Sequence, residues 1–161
     1  MDNFDEYAMN YRQIHNENLS ITGLSSDYFA VNKIKIISYH NKEDRNYKIL
    51  DVGCGDGKLE EYIPMYFCNY NAYGIDISKE SINRAREKGI AGCVFDYYDG
   101  SKIPFEENFF DIVILSTVLH HVNREDHLNL INEVYRVMKP GSKLFIFEHN
   151  PVNPFTNYIV K

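Results

Sequence analysis

The chain has 161 residues with 44% hydrophobic content, enough for one domain whose core hides roughly 70% of the surface an unfolded chain would expose. Its net charge of −6 comes without a basic stripe, which argues against a partner gripped mainly through a nucleic-acid phosphate backbone. No apolar run reaches the roughly 18 residues of a membrane span, and the acidic start Met1-Asp2-Asn3-Phe4-Asp5-Glu6 has no secretory signal pattern, so a cytoplasmic protein is expected.

Two helical patterns come first, one carrying Phe4, Tyr7 and Tyr11, the other running from Ser25 or Ser26 through Phe29, Ile34 and Ile37. They precede every strand, so residues 1–45 are expected to pack outside the sheet or over its carboxyl edge as a helical lid, with residues 46–161 forming the main unit. From Lys48 onward, short β-rich runs alternate with helical patterns, which predicts a parallel sheet covered on both faces. Strands are expected near 48–52, 72–76, 91–95, 111–116 and 143–148. Ser78 is placed to cap a helix that stops at Gly89. Asn123 is placed to cap a longer one that runs to a turn at Pro140-Gly141. Cys54, Cys68 and Cys93 form no Cys-x-x-Cys pair and read as reduced thiols.

The first strand runs into Asp51-Val52-Gly53-Cys54-Gly55-Asp56-Gly57, where glycines alternate and let a backbone pass close beneath a ligand. Asp51 and Asp56 would repel a diphosphate and attract an ammonium or sulfonium. A nucleoside-triphosphate loop is excluded because Val52 stands where its leading glycine belongs and Leu59 where its hydroxyl residue belongs. The dinucleotide pattern Gly-x-Gly-x-x-Gly is missed because Lys58 follows Gly57.

The segment resembles the first motif of the class I S-adenosylmethionine-dependent methyltransferases, an acidic residue and a small apolar one followed by Gly-x-Gly-x-Gly. Further stretches resemble the family in its own order, from Tyr73-Gly74-Ile75-Asp76-Ile77-Ser78 through Phe95-Asp96-Tyr97, Ile103-Pro104-Phe105 and Leu119-His120-His121 to Glu133–Ser142. The resemblance implies a Rossmann-like doubly wound α/β fold with S-adenosylmethionine as cofactor. It implies Asp51, Gly53, Cys54, Gly55 and Gly57 as the cofactor loop, and Asp76 with Ile77 at the ribose, where a carboxylate accepts two hydrogen bonds from a vicinal diol. Asp96 and Tyr97 would meet the adenine. Asp111, at the far end of its strand, reads as structural.

In an open parallel sheet ligands bind beyond the carboxyl ends of the strands, which gathers the loop, Asp76, Asp96, Ser116–His121 and Glu148–Asn150 around one crevice. His120 and His121 are candidate bases for an acceptor that must lose a proton, with the alternative that one packs beneath the following helix. His120, His121, His127 and His149 match no metal-ligand spacing, so no metal is expected. Tyr7 and Tyr11 share a helical face, and Tyr11 could meet a sulfonium by cation–π attraction.

The family's sheet continues past the fifth strand with a helix and two antiparallel strands, while only 13 residues follow Glu148. The resemblance therefore implies a sheet without those strands and an edge open to a second subunit. The expected function is methyl transfer from S-adenosylmethionine to oxygen or nitrogen of a small polar metabolite such as a sugar, with no nucleic acid or membrane partner. The alternative is a cofactor-binding, catalytically idle protein or regulatory subunit.

Overall fold

The structure is a computed structural model that describes residues 26–148. Helix α1 (Ser26–Tyr39) leads into strand β1 (Tyr47–Val52), a 3₁₀ turn (Glu60–Tyr62) and the single-turn helix α2 (Ile63–Tyr66). Strand β2 (Tyr70–Asp76), helix α3 (Lys79–Glu87), strand β3 (Cys93–Tyr97) and strand β4 (Phe110–Ser116) follow. A second 3₁₀ turn (Leu119–His121), helix α4 (His127–Val137) and strand β5 (Met138–Phe147) complete the described chain. All five strands pair in parallel, in the order β3-β2-β1-β4-β5. The order reverses between β1 and β4, and this doubly wound sheet is the one the alternating pattern predicts.

The central strands read as apolar runs because both their faces are covered. Ile49, Ile112 and Ile114 pack with Ala30, Ile34 and Ile37 of α1 and with Leu59 and Ile63 after the glycine loop. Leu50, Val113 and Leu115 face the other way, onto Leu130, Val134 and Val137 of α4. Helix α1 therefore contributes to the same core as the sheet. Helix α3 packs Ile82 and Ala85 against Phe95 and Cys54, and its start is set as expected, with Ser78 Oγ accepting the Ser81 N–H at 3.2 Å.

Both ends of α4 differ from the sequence reading, and β3 lies two residues later than the expected 91–95. Asn123 does not cap α4; it closes a turn in which the Asp126 N–H donates to its carbonyl at 2.9 Å, and the helix begins at His127. Pro140-Gly141 does not end that helix either. The helix stops at Val137 and passes directly into β5, where Met138 pairs with Phe110 and Lys143 with Ile112. The residues between bulge out of register, with Gly141 at φ +78°.

The connection from β3 to β4 has no helix and is held by α4. Arg136 donates to the carbonyls of Phe105 and Ile103, each at 2.8 Å, while Glu133 accepts the Ile103 N–H at 3.0 Å. At the opposite end of the sheet Asp111, 3% exposed, accepts from the Lys48 N–H at 2.9 Å, from Lys139 Nζ at 2.9 Å and from Arg45 at 3.1 Å. Burial pushes its carboxyl up, but the Lys48 N–H and the two cations outweigh that and hold it below the usual range. This is the structural role expected of Asp111.

Candidate functional site

The carboxyl ends of β1, β2 and β4 open into a cavity of about 890 Å³, lined by Gly53, Cys54 and Gly55 of the glycine loop, Asp51, Asp76, Ser116 and part of α1, whereas Gly57 does not line it and abuts Phe95. Its floor is the loop. The Gly53 and Cys54 N–H groups donate to the Ile75 carbonyl at 2.7 and 3.1 Å, and the Gly55 N–H donates to Asp76 Oδ2 at 2.8 Å. Gly53 sits at φ +76°, and a Cβ there would lie 2.5 Å from Val118 Cγ2. Gly55, at φ +56°, faces open space, since a Cβ would meet nothing within 4 Å. A loop that admits no side chain beneath it and leaves room above it is a cradle for a flat, close-lying ligand.

Asp76 ends β2 on the cavity wall, with Oδ1 accepting the Ser78 N–H at 2.8 Å and Oδ2 accepting the Gly55 N–H at 2.8 Å. Ile77 lies beside it on the wall. Asp51 is 3% exposed at the end of β1, and burial, then the nearby Glu60 carboxyl, pushes its own carboxyl well above the usual range. Asp56 lines the cavity but pairs with Lys88 at 3.4 Å, so its charge is already met. Cys54 lines the cavity and is itself buried in the α3 cluster.

Asp96 and Tyr97 do not line this cavity. Strand β3 is at the sheet edge, and Arg86 wraps it, donating to the Phe95 carbonyl at 2.8 Å and to the Asp96 carboxylate at 2.5 Å. Tyr97 stacks against Lys79, 4.9 Å from its ring centre. The residues that reach the cavity instead are Tyr98, Gly100 and Ser101. Asp99 shapes that turn by accepting the Ser101 N–H at 2.9 Å and its hydroxyl at 2.6 Å. Asp-Gly-Ser is turn chemistry, which was the available signal for this segment.

On the β4 side, Ser116 accepts from Lys33 Nζ at 2.8 Å and Thr117 adopts φ +57°, a conformation rare for a residue that is not glycine. Burial lowers the Lys33 ammonium from its usual range, opposed by Asp51 and Glu148. Nothing in the sequence of α1 singled out Lys33. His121 lines the cavity and His120 does not, although their rings lie 4.0 Å apart. His120 Nδ1 meets Glu148 Oε2 at 2.9 Å, and Glu148 Oε1 accepts the Val118 and Leu119 N–H groups at 2.9 and 2.8 Å. Burial raises Glu148, but His120 and these N–H donors outweigh it and hold the carboxyl below its ordinary value. Of the remaining expected site residues, Tyr11 lies outside the described residues, as do Tyr7 and His149. Among the described residues no group of His, Cys, Asp and Glu is placed to hold a metal ion, and no helix is long and apolar enough to cross a membrane.

A doubly wound parallel sheet with a glycine cradle at its switch point and a carboxylate at the end of the next strand defines a Rossmann-like protein that binds a nucleoside-type cofactor. The model of the methyltransferase domain family matches residues 50–146, and the chain belongs to that family of class I S-adenosylmethionine-dependent methyltransferases. Its cofactor is S-adenosylmethionine. The 27-O-demethylrifamycin SV methyltransferase of Amycolatopsis mediterranei is 33% identical over 103 residues, covering 60% of this chain and 36% of that protein. The fatty-acid O-methyltransferase of Mycolicibacterium smegmatis is 28% identical over 152 residues, covering 91% and 54%. The chain thus spans about a third to a half of these curated relatives. Among solved structures, a methyltransferase of Aquifex aeolicus shares the fold at a TM-score of 0.60 and 24% identity, with 77% of each chain covered.

Proposed function

We propose that this chain transfers a methyl group to an oxygen or nitrogen of a small polar metabolite. The observation that carries the reading is that His121, a group able to take a proton, lines the same cavity as the glycine loop, Asp51 and Asp76. One relative is named a fatty-acid O-methyltransferase and another a 27-O-demethylrifamycin SV methyltransferase, names with unlike acceptors, which supports the reaction class and leaves the acceptor to this chain's own cavity wall.

Bound S-adenosylmethionine supplies a methyl group already activated on a sulfonium. The protein's part is then to hold, orient and exclude water. Asp76 accepts the ribose hydroxyls, Tyr98, Gly100, Ser101 and Ile77 enclose the base, and Asp51 faces the ammonium. Lys33, with its ammonium already on the cavity wall, faces the carboxylate. His121 takes the proton of the acceptor, and Glu148 positions it indirectly by anchoring the backbone of the 3₁₀ turn and holding the neighbouring His120 ring.

Titration calorimetry with S-adenosylmethionine tests the cofactor site, and mass-spectrometric detection of methylated product across a panel of hydroxy and amino metabolites tests transfer. Binding with product from at least one acceptor is expected. Binding without product from any of them would reduce the chain to a cofactor-binding protein, and folded protein that binds nothing at millimolar cofactor would end the reading.

A further inference from the structure

Shortly after the glycine loop in the chain stands a buried carboxyl group with no hydrogen-bond partner. Glu60 opens the 3₁₀ turn, is fully buried, and completes no hydrogen bond at either Oε1 or Oε2. Asp51 has Oδ1 in the same condition. Two buried carboxylates that repel each other are costly, because each loses its hydration and neither gains donors in return.

The surrounding charges do not relieve them. Lys33 faces Asp51 from α1 but its ammonium rests on Ser116 Oγ at 2.8 Å. Lys88 faces Glu60 from beyond α3 but pairs with Glu61 at 2.5 Å and Asp56 at 3.4 Å. Asp56 and Glu61 add repulsion to Glu60, and Asp76 adds it to Asp51. The thiols of Cys54 and Cys93, which also sense Glu60, are kept neutral by burial. Burial pushes Glu60 up to about 8, against the dipole of its own backbone N–H and the pull of Lys88.

We propose that Glu60 is a positioning residue for cofactor capture: the Asp51–Glu60 pair carries one proton in the ligand-free protein and releases it when the ammonium of S-adenosylmethionine docks against Asp51. The inference rests on S-adenosylmethionine as cofactor with its amino group toward β1. The carboxyl O–H bond breaks, the proton passes to buffer, and the ammonium keeps all its hydrogens while supplying the positive charge that lets both carboxylates stay ionised. A neutral pair keeps the empty loop free of repulsion, and a charged pair grips the cation. Because binding expels a proton, affinity rises with pH until the free protein has already lost that proton, near the value of about 8 for Glu60.

Calorimetric titration of wild-type protein with S-adenosylmethionine in two buffers of different ionisation enthalpy counts the proton. Close to one proton released per cofactor at about pH 7 is expected, with affinity rising roughly tenfold from about pH 6 to 7 and levelling above about pH 8. Glu60→Gln keeps the volume and cannot titrate, so its release should fall below about a third of wild type and its affinity should vary less than about twofold over that range. 5′-Methylthioadenosine, which lacks the amino-acid portion, should bind wild-type protein without releasing the proton. Wild-type binding of S-adenosylmethionine without proton release overturns the proposal, as does equal release with 5′-methylthioadenosine; neither measurement needs a variant. Undiminished release from folded Glu60→Gln also overturns the role of Glu60 and leaves the proton on Asp51, whose own burial raises its carboxyl. Folded protein that binds no S-adenosylmethionine overturns the cofactor assignment itself, an outcome separate from binding without proton exchange.

Discussion

Asp76 Oδ2 accepts the Gly55 N–H at 2.8 Å, which ties the crown of the glycine loop to the end of the neighbouring strand. One carboxylate thus shapes the cradle and also lines the cavity above it.

Asp76→Ala is expected to weaken S-adenosylmethionine binding by about 1–3 kcal/mol, the scale of a lost hydrogen bond to a charged group, with part of the loss coming from a looser loop. Asp76→Asn keeps one acceptor oxygen and should lose less. Calorimetric titration of both variants measures the difference, and wild-type affinity in Asp76→Ala would remove the residue from the ribose role.

Gly53→Ala should destabilise the fold by about 1–3 kcal/mol, since the new methyl meets Val118 Cγ2 at 2.5 Å and the backbone is held at φ +76°. Val118→Ala in the same chain removes the collision and leaves the backbone strain, so the double variant should recover part of the loss. Denaturant unfolding of the two single variants and the double variant separates the two contributions.

Arg136→Ala should cost about 2–4 kcal/mol, because it strands the carbonyls of Ile103 and Phe105 and leaves Glu133 without its partner. Arg136→Lys should recover little, since one ammonium cannot span the positions that a planar guanidinium reaches. Thermal unfolding reads both, and a mild effect of Arg136→Ala would mean the β3–β4 connection is held by its apolar contacts alone.

Asp111 makes part of the stability depend on pH. Its folded carboxyl lies below the unfolded value of 3.8, so its contribution is fully present above that value and lost as pH falls through the folded one. Asp111→Asn should lower stability at neutral pH by about 2–3 kcal/mol and make the acid side of the stability profile shallower. A parallel downward shift of the whole profile, with the acid slope unchanged, would show that the carboxylate's charge is not what matters there.

Much of the fold is legible in short stretches of chain. The apolar run before Gly53, the aspartate at the end of β2 and the Ser78 cap each act through neighbours a few residues away, so their patterns carry the geometry directly. Pro140-Gly141 misleads for the same reason. The pair carries a turn's local chemistry, while its position in a bulge of β5 is set by pairing with β4, about thirty residues earlier. Asp96 follows a strand as an adenine-facing acid should, yet β3 lies at the sheet edge and Arg86, on the helix before it, claims the carboxylate.

What the sequence by itself determined is the cofactor class and the sheet that holds it, because alternating glycines, a strand-end carboxylate and β/α periodicity are local signals. Only the tertiary structure decided which charges meet inside the cavity. Lys33 reaches Ser116 across 83 residues of chain. Glu60 is buried and its charge bears on Asp51, and Glu148 anchors the turn that carries His120 and His121. Such meetings depend on how helices pack on the sheet, and the free energy of a buried charge is set by its neighbours in space.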